Sequence, residues 1–468
     1  MQPDRMPPLS YWLGAIWSWV FGLSENSMRW FGIAVVLAAA PALFATGRTL
    51  GGLRGGLVAL GFILLSPNMI VSSVEIRAYP LLFTFSAWST LFFVVLLTTE
   101  DHAQRSKAYW LLAASIVGAC YTHFFGVVLA GAIYASLIIE HLVTRRSLKP
   151  LVISIAVSLV ACAGLVPFIA HAVALSGNGT LETLSGSSGV LDTVKDTIRL
   201  AFRLVAHSSF VVYPAVFGLF TIGIGGLLLF AIRHMFASLG KDKHFLAALI
   251  LPVVFAFIAL PVISLASSGF TVLAPSYNIW LVPLIAAILA AAFQTSFNQR
   301  ILNGLAVIAL GGQLIAFAVL VLNAEYFTHG PGEWIAKSVD QPETTVIAHD
   351  ARGTWAMAYY PVAYFSNDRT TQILVHPTEP PRLLTSQGIV AIDDLDAVLA
   401  GNKTIHFVSV ASNGASETTQ FVSEGSVCGG LANIAWAGAV NDTTEQRYCG
   451  IASATMIIGD VAGFDFTR

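Results

Sequence analysis

The sequence predicts a polytopic α-helical membrane protein of about ten spans with a C-terminal extracytoplasmic α/β domain. Three observations predict it. Of 468 residues, 56% are hydrophobic, 11% are charged and the mean hydropathy is +0.74, where a soluble chain carries about 25% charged residues. Charge-free stretches long enough to cross a hydrocarbon core about 30 Å thick recur up to residue 324. The charge is also divided unevenly: residues 1–322 carry 17 Lys/Arg against 10 Asp/Glu, and residues 323–468 carry 7 against 16. This composition excludes a water-soluble globular chain, a disordered chain and a nucleic-acid-binding protein.

Residues 1–27 read as an outer-loop segment. Met1 to Pro8 has no basic stretch leading into an apolar core, so it is not a signal peptide. Leu9 to Phe21 is apolar and rich in aromatic residues, among them Tyr11, Trp12, Trp17, Trp19 and Phe21. Its 13 residues are too few to span a membrane, and Trp and Tyr favour the headgroup level, so an interfacial helix is expected. An outer segment with no span before it suggests a missing N-terminal helix.

Residues 28–322 hold the spans. The stretches free of Asp, Glu, Lys and Arg are 30–47, 55–74, 78–99, 108–139, 150–181, 204–232, 244–299 and 301–324. The 56 residues of 244–299 make two helices broken at the polar run Ser267 to Ser276. The stretch 108–139 is one overlong helix or two short ones with a turn near Thr122-His123. Loop charge separates the two, because cytoplasmic loops are enriched in Lys and Arg. Splitting it places Arg48, Arg54, Arg105, Lys107, Arg145, Arg146, Lys149, Arg233, Lys241, Lys243 and Arg300 inside. Arg5, Arg29, Arg77, Lys195, Arg199 and Arg203 then lie outside, a ratio of 11 to 6. Left whole, the ratio is 7 to 10. The split is expected, with residues 323–468 extracytoplasmic.

In that tail, Thr344–Ala348, Gln372–Val375 and Thr404–Val410 read as buried strands. Gly332–Val339 and Asp393–Leu399 read as helices. Cys428 and Cys449 are the only cysteines outside the spans and are expected to pair in an oxidising compartment. Cys120 and Cys162 sit in spans and read as small apolar residues.

The chemistry concentrates in outer turns. Ser72 to Pro80 is a short turn carrying Glu75 and Arg77, two residues apart. Arg grips phosphate oxygens in bidentate fashion, and Glu can orient the Arg, take a proton or hold a cation. On charge pattern alone the plainer reading is an ion pair anchoring a helix end. His123, in the second outer turn Tyr121 to Gly126, reads on spacing alone as a packed, hydrogen-bonded histidine. With no His or carboxylate three or four residues away, it carries no metal-ligand signature.

Several of these segments, in order, resemble the multi-pass glycosyltransferases of the GT-C superfamily that use polyprenyl-phosphate sugars, in particular the bacterial protein-mannosyltransferase-like, lipopolysaccharide-modifying branch. The matching text is Met6-Pro7-Pro8-Leu9-Ser10-Tyr11; Phe21 to Glu25 with Met28-Arg29; Leu65-Ser66-Pro67; Ser73 to Tyr79, like the family's Ser-Gln-Glu-Ala-Arg-x-Tyr; and Tyr121 to Gly126. The resemblance covers roughly residues 1–145. It implies a sugar moved from a polyprenyl-phosphate donor to an envelope glycolipid, polysaccharide or protein, at the outer face of the bacterial cytoplasmic membrane. It implies Arg77 on the donor phosphate and Glu75 as an acidic group of the site, with Tyr79, His123 and Tyr11 in support. Asp4 is the sole acid before the prolines, where the family's catalytic acids lie, and Arg5 stands near the family's basic residue. The partners implied are the lipid-linked sugar, the acceptor and the bilayer. The resemblance names no cofactor, and a divalent metal stays open. Three departures keep a second reading: the short stretch before Pro7, Met6 itself, and Pro275-Ser276-Tyr277 where relatives have Arg-Tyr. That reading is a non-catalytic or N-terminally truncated envelope assembly protein. A secondary transporter is disfavoured, because no acid or base sits deep in a predicted span.

Overall fold

A computed structural model of the chain describes residues 7–74, 76–170, 190–205, 214–237, 242–266, 272–273, 275–294 and 299–322, together with six strands between 345 and 459. It divides into two compact units, Met1–Leu322 and Asn323–Arg468.

The first unit is helical. Its helices are α1 Leu9–Phe21, α2 Glu25–Leu37, α3 Ala40–Leu64, α4 Pro67–Val74, α5 Tyr79–Thr98, α6 His102–Thr122, α7 Phe125–Thr144, α8 Lys149–Cys162, α9 Val190–Val205, α10 Pro214–Ala237, α11 Asp242–Ala266, α12 Val282–Ala291 and α13 Gln299–Leu322. Six helical runs among the described residues are long and apolar enough to cross a membrane: 26–64, 79–98, 125–144, 149–170, 247–265 and 299–318. The chain is thus a polytopic helical membrane protein.

α1 occupies the stretch expected to lie along the interface, with Trp12, Trp19 and Phe21 exposed. The Trp17 indole donates to the Ser27 carbonyl at 2.9 Å and ties it to α2. Ser24 caps α2, its hydroxyl accepting from the Ser27 N–H at 3.1 Å.

Within α3 the chain reverses at Gly51-Gly52, and Gly52 has a φ of 64°. Residues eight apart in a straight helix are about 12 Å apart. Here a Cβ on Gly47 would sit 2.4 Å from the Gly55 carbonyl oxygen. Glycine at 47 and 55 lets the two arms touch, and glycine at 52 supplies the left-handed turn. The turn falls between Arg48 and Arg54, where the charge pattern puts an inner loop. The single stretch expected over 55–74 is interrupted: α3 ends at Leu64 and α4 starts at Pro67. Proline has no N–H to continue a helix but suits the first position of a new one.

The stretch 108–139 is two helices. α6 ends at Thr122, His123 is extended (φ −157°, ψ 143°), and α7 starts at Phe125. At the opposite ends of these helices Tyr109, Glu140, His141 and Arg146 form a network. The Tyr109 hydroxyl meets His141 Nε2 at 2.8 Å, and Arg146 donates to Glu140 at 2.9 Å and Glu100 at 2.8 Å. α9 is a helix that a search for charge-free stretches passes over, because it carries Asp192, Lys195, Asp196, Arg199 and Arg203. α9 buries Thr193, Leu200 and Leu204.

The core is built around α5 and α12. Every residue of α12 is buried, as expected of a helix apolar on all sides. Phe62, Tyr79, Phe83, Phe93 and Trp280 are fully buried around it. The Ser86 hydroxyl donates to the Trp280 carbonyl at 2.6 Å, locking α5 to the 3-10 turn Ile279–Leu281 that leads into α12.

The described part of the second unit is one six-stranded sheet: β1 Thr345–His349, β2 Gln372–His376, β3 Val390–Ala391, β4 Thr404–Val410, β5 Thr443–Tyr448 and β6 Ile451–Gly459, in the order β3-β2-β1-β4-β6-β5. All pairs are parallel except β5 with β6. β1, β2 and β4 fall within one residue of the strands read from sequence. Expected helices 332–339 and 393–399 lie outside the described residues, as do Cys428 and Cys449 and the disulfide expected between them. Cys120 and Cys162 are free thiols, the first buried.

Candidate active site

The site forms where α4 hands over to α5. α4 stops at Val74, and α5 begins at Tyr79 with Pro80 in its first turn. The short link leaves Arg77 exposed while burying Tyr79 to 2%. Two contacts from α2 fix this link. Arg29 Nη1 donates to the Val74 carbonyl at 3.1 Å, satisfying a helix-end carbonyl that α4 itself leaves open. One turn further on, a Cβ on Gly32 would lie 2.1 Å from the Ser73 carbonyl oxygen, so only glycine lets α2 lie against this backbone. The Thr84 hydroxyl bonds the Val35 carbonyl at 2.7 Å and joins α5 to the same helix.

Arg77 lies along Tyr79. Its Nη1 donates to the tyrosine hydroxyl at 3.3 Å, and its guanidinium carbon is 5.8 Å from the ring centroid. Behind Tyr79 stands His123, their rings 5.7 Å apart. Tyr277, from the turn before α12, closes the group. It lies 5.8 Å from Tyr79, 5.9 Å from His123 and 5.9 Å from Phe125, with which it stacks at 14°. The Asn278 amide donates to the Val272 carbonyl at 2.8 Å and holds this turn.

His123 is only 3% exposed. The Phe125 N–H donates to its Nδ1 at 3.2 Å. Nδ1 is therefore the acceptor nitrogen, and the neutral ring carries its proton on Nε2. Nε2 is buried with no hydrogen-bond partner among the described residues. Burial pushes the imidazole down to about 4, so it is neutral at physiological pH. A neutral N–H donor, a guanidinium and three aromatic faces meet at one end of the bundle, a set suited to a phosphate ester of a polar ring.

The structure thus brings together Arg77, Tyr79 and His123. Tyr11 stands on α1, 45% exposed. Asp4, Arg5 and Glu75 lie outside the described residues. Sequence reasoning did not place Arg29, Phe125 or Tyr277 in the site. The first two stood in recognised motif text without a role, and Tyr277 stood out only as a departure. Among the described residues no three His, Cys, Asp or Glu side chains gather in a metal-holding arrangement.

Residues 5–171 match the family described as dolichyl-phosphate-mannose-protein mannosyltransferase. A comparison with curated proteins finds no match. Among solved structures, the fold is similar to that of ArnT from Cupriavidus metallidurans bound to undecaprenyl phosphate. The TM-score is 0.52 at 15% identity, covering 84% of this chain and 81% of that one. The apo state of the same protein gives 0.54 at 15% identity, covering 84% and 80%. In sequence over residues 5–171, and in fold over most of its length, this integral membrane protein is similar to the membrane glycosyltransferases of the GT-C superfamily.

Proposed function

We propose that the chain is a glycosyltransferase that moves a sugar from a polyprenyl-phosphate donor to an envelope glycolipid, polysaccharide or protein, on the extracytoplasmic face of a bacterial cytoplasmic membrane. The observation that carries this reading is Arg77: an exposed guanidinium on a short, rigidly held turn, backed by Tyr79. The solved relative holding undecaprenyl phosphate supports a ligand of that chemistry.

In this reaction the acceptor hydroxyl attacks the anomeric carbon, and the bond from that carbon to the phosphate oxygen breaks. The lipid phosphate leaves with the electron pair. Its growing charge needs a fixed positive partner, and Arg77 supplies it in bidentate form. A carboxylate takes the acceptor's proton. Glu75 is the candidate nearest in sequence, with Asp4 the other acid available. The site lies at a bundle end, so the lipid tail can stay in the bilayer while the sugar reaches water. The ten-span topology with an extracytoplasmic α/β domain over 323–468 belongs to the same proposal and rests on the 11-to-6 charge bias.

The test is transfer of labelled sugar from polyprenyl phosphate in membranes. Arg77→Ala should abolish transfer while leaving expression intact. Arg77→Lys should recover little, because a point charge does not reproduce a planar fork. Full transfer by Arg77→Ala would return the residue to a helix-end anchor.

A further inference from the structure

We infer that His123 touches the substrate: its Nε2–H donates to an oxygen of the lipid-linked sugar phosphate when the site is filled. The inference rests on the glycosyltransferase reading above and adds a second, uncharged binding group to it. A histidine that only packs a turn ordinarily has both nitrogens matched, because a buried donor without an acceptor costs about 1–3 kcal/mol. His123 has one nitrogen matched and one not. The Phe125 N–H holds Nδ1 at 3.2 Å, which fixes the proton on Nε2 and leaves the ring one orientation. The turn itself gives the Nε2–H no acceptor among the described residues.

Its neighbours show where the acceptor comes from. Tyr79 lies 5.7 Å away, and the Arg77 guanidinium carbon is 5.8 Å from the same ring. Phe125 and Tyr277, both only half-buried, pack against the imidazole at 5.4 and 5.9 Å. Tyr277 comes from the turn before α12, a different segment from the α4–α5 link and the α6–α7 turn. A ligand whose phosphate is held by Arg77 meets the ring that His123 also packs against and can offer Nε2 an oxygen. That oxygen is either a second phosphate oxygen or a hydroxyl of the sugar, and both accept a neutral N–H donor.

The experiment uses the full chain in lipid nanodiscs with two probes, undecaprenyl phosphate alone and undecaprenyl phosphate carrying mannose. His123→Phe keeps the aromatic packing and removes the donor. Binding should weaken by at least about fivefold, while thermal stability changes little, because the loss of an unmatched buried donor offsets the acceptor that the Phe125 N–H loses. Loss with both probes identifies a phosphate oxygen, and loss only with the mannose-bearing probe identifies a sugar hydroxyl. Unchanged binding of both probes overturns the inference. Should His123→Phe lose stability as well as binding, the His123 Nε2 ¹⁵N resonance of the wild-type protein decides. A shift on adding either probe supports the contact, and an unmoved resonance overturns it. If the wild type binds neither probe, the glycosyltransferase reading falls with it. If the wild type binds, Arg77→Ala does not, and His123→Phe binds as wild type, only the His123 inference falls.

Discussion

At the scale of single residues, burial controls how His123 responds to acid. The rings of Tyr79, Tyr277 and Phe125 pack against it, and the Arg77 guanidinium lies against Tyr79. The folded protein holds its pKa at about 4, below the ordinary 6.5. Above 6.5 the ring is neutral folded or unfolded, and the group has no effect on stability. As pH falls from 6.5 to 4 the unfolded chain takes up a proton that the folded one refuses, so stability drops, by roughly 3 kcal/mol at most. Thermal unfolding of wild type and His123→Phe across pH 7 to 4 measures this. The variant should lose less stability over that window, and parallel curves would show that the ring is not buried neutral. Arg77 works in the opposite way. Exposed and permanently charged, it keeps its charge across the same window, so donor binding through it should not titrate there.

At the scale of elements, the site depends on how closely α2 lies against α4. Gly32 sets that distance, since any Cβ would meet the Ser73 carbonyl oxygen at 2.1 Å. Gly32→Ala should cost about 1–3 kcal/mol through overpacking. It should also lower sugar transfer, because α4 carries the turn that presents Arg77. Gly131→Ala is the control. Nothing lies within 4 Å of a Cβ there, and alanine favours a helix interior over glycine, so stability should hold or rise. Thermal unfolding in detergent, with the transfer assay, compares the two. Equal behaviour of the variants would remove α2 from the account of the site. The same logic separates α1 from the spans. Its aromatic exposed face and its indole bond to Ser27 suit a helix lying along the surface and tethered to α2.

At the scale of the whole molecule, the charge bias predicts a direction across the membrane. Cysteines placed in 233–245 should be shielded from an impermeant thiol reagent in intact cells, in a background with Cys428 and Cys449 replaced by serine. Cysteines placed near 340 or 400 should react. Reaction at the first position and not at the others would invert the topology, and it would move Arg77 to the opposite face from the proposed reaction.

By itself the sequence determined the kind of molecule. A charge-free stretch must leave water, so composition alone indicated a helical membrane protein. Loop charge marked the division at Thr122-His123, and the polar run Ser267 to Ser276 marked the one before α12. Three strands of the tail were legible as short apolar β-branched runs. Motif order along residues 1–145 carried the family likeness and singled out Arg77, Tyr79 and His123. Tertiary structure alone decided what depends on distance. Local signals cannot show that Arg29 reaches Val74 across 45 residues. Nor can they show that Tyr277 crosses the chain to stack on Phe125, or that Gly32 meets the Ser73 backbone. Periodicity reports which face of an element is buried, but not what buries it. The unmatched Nε2 of His123 depends on every neighbour around one atom, so only the folded chain reveals it.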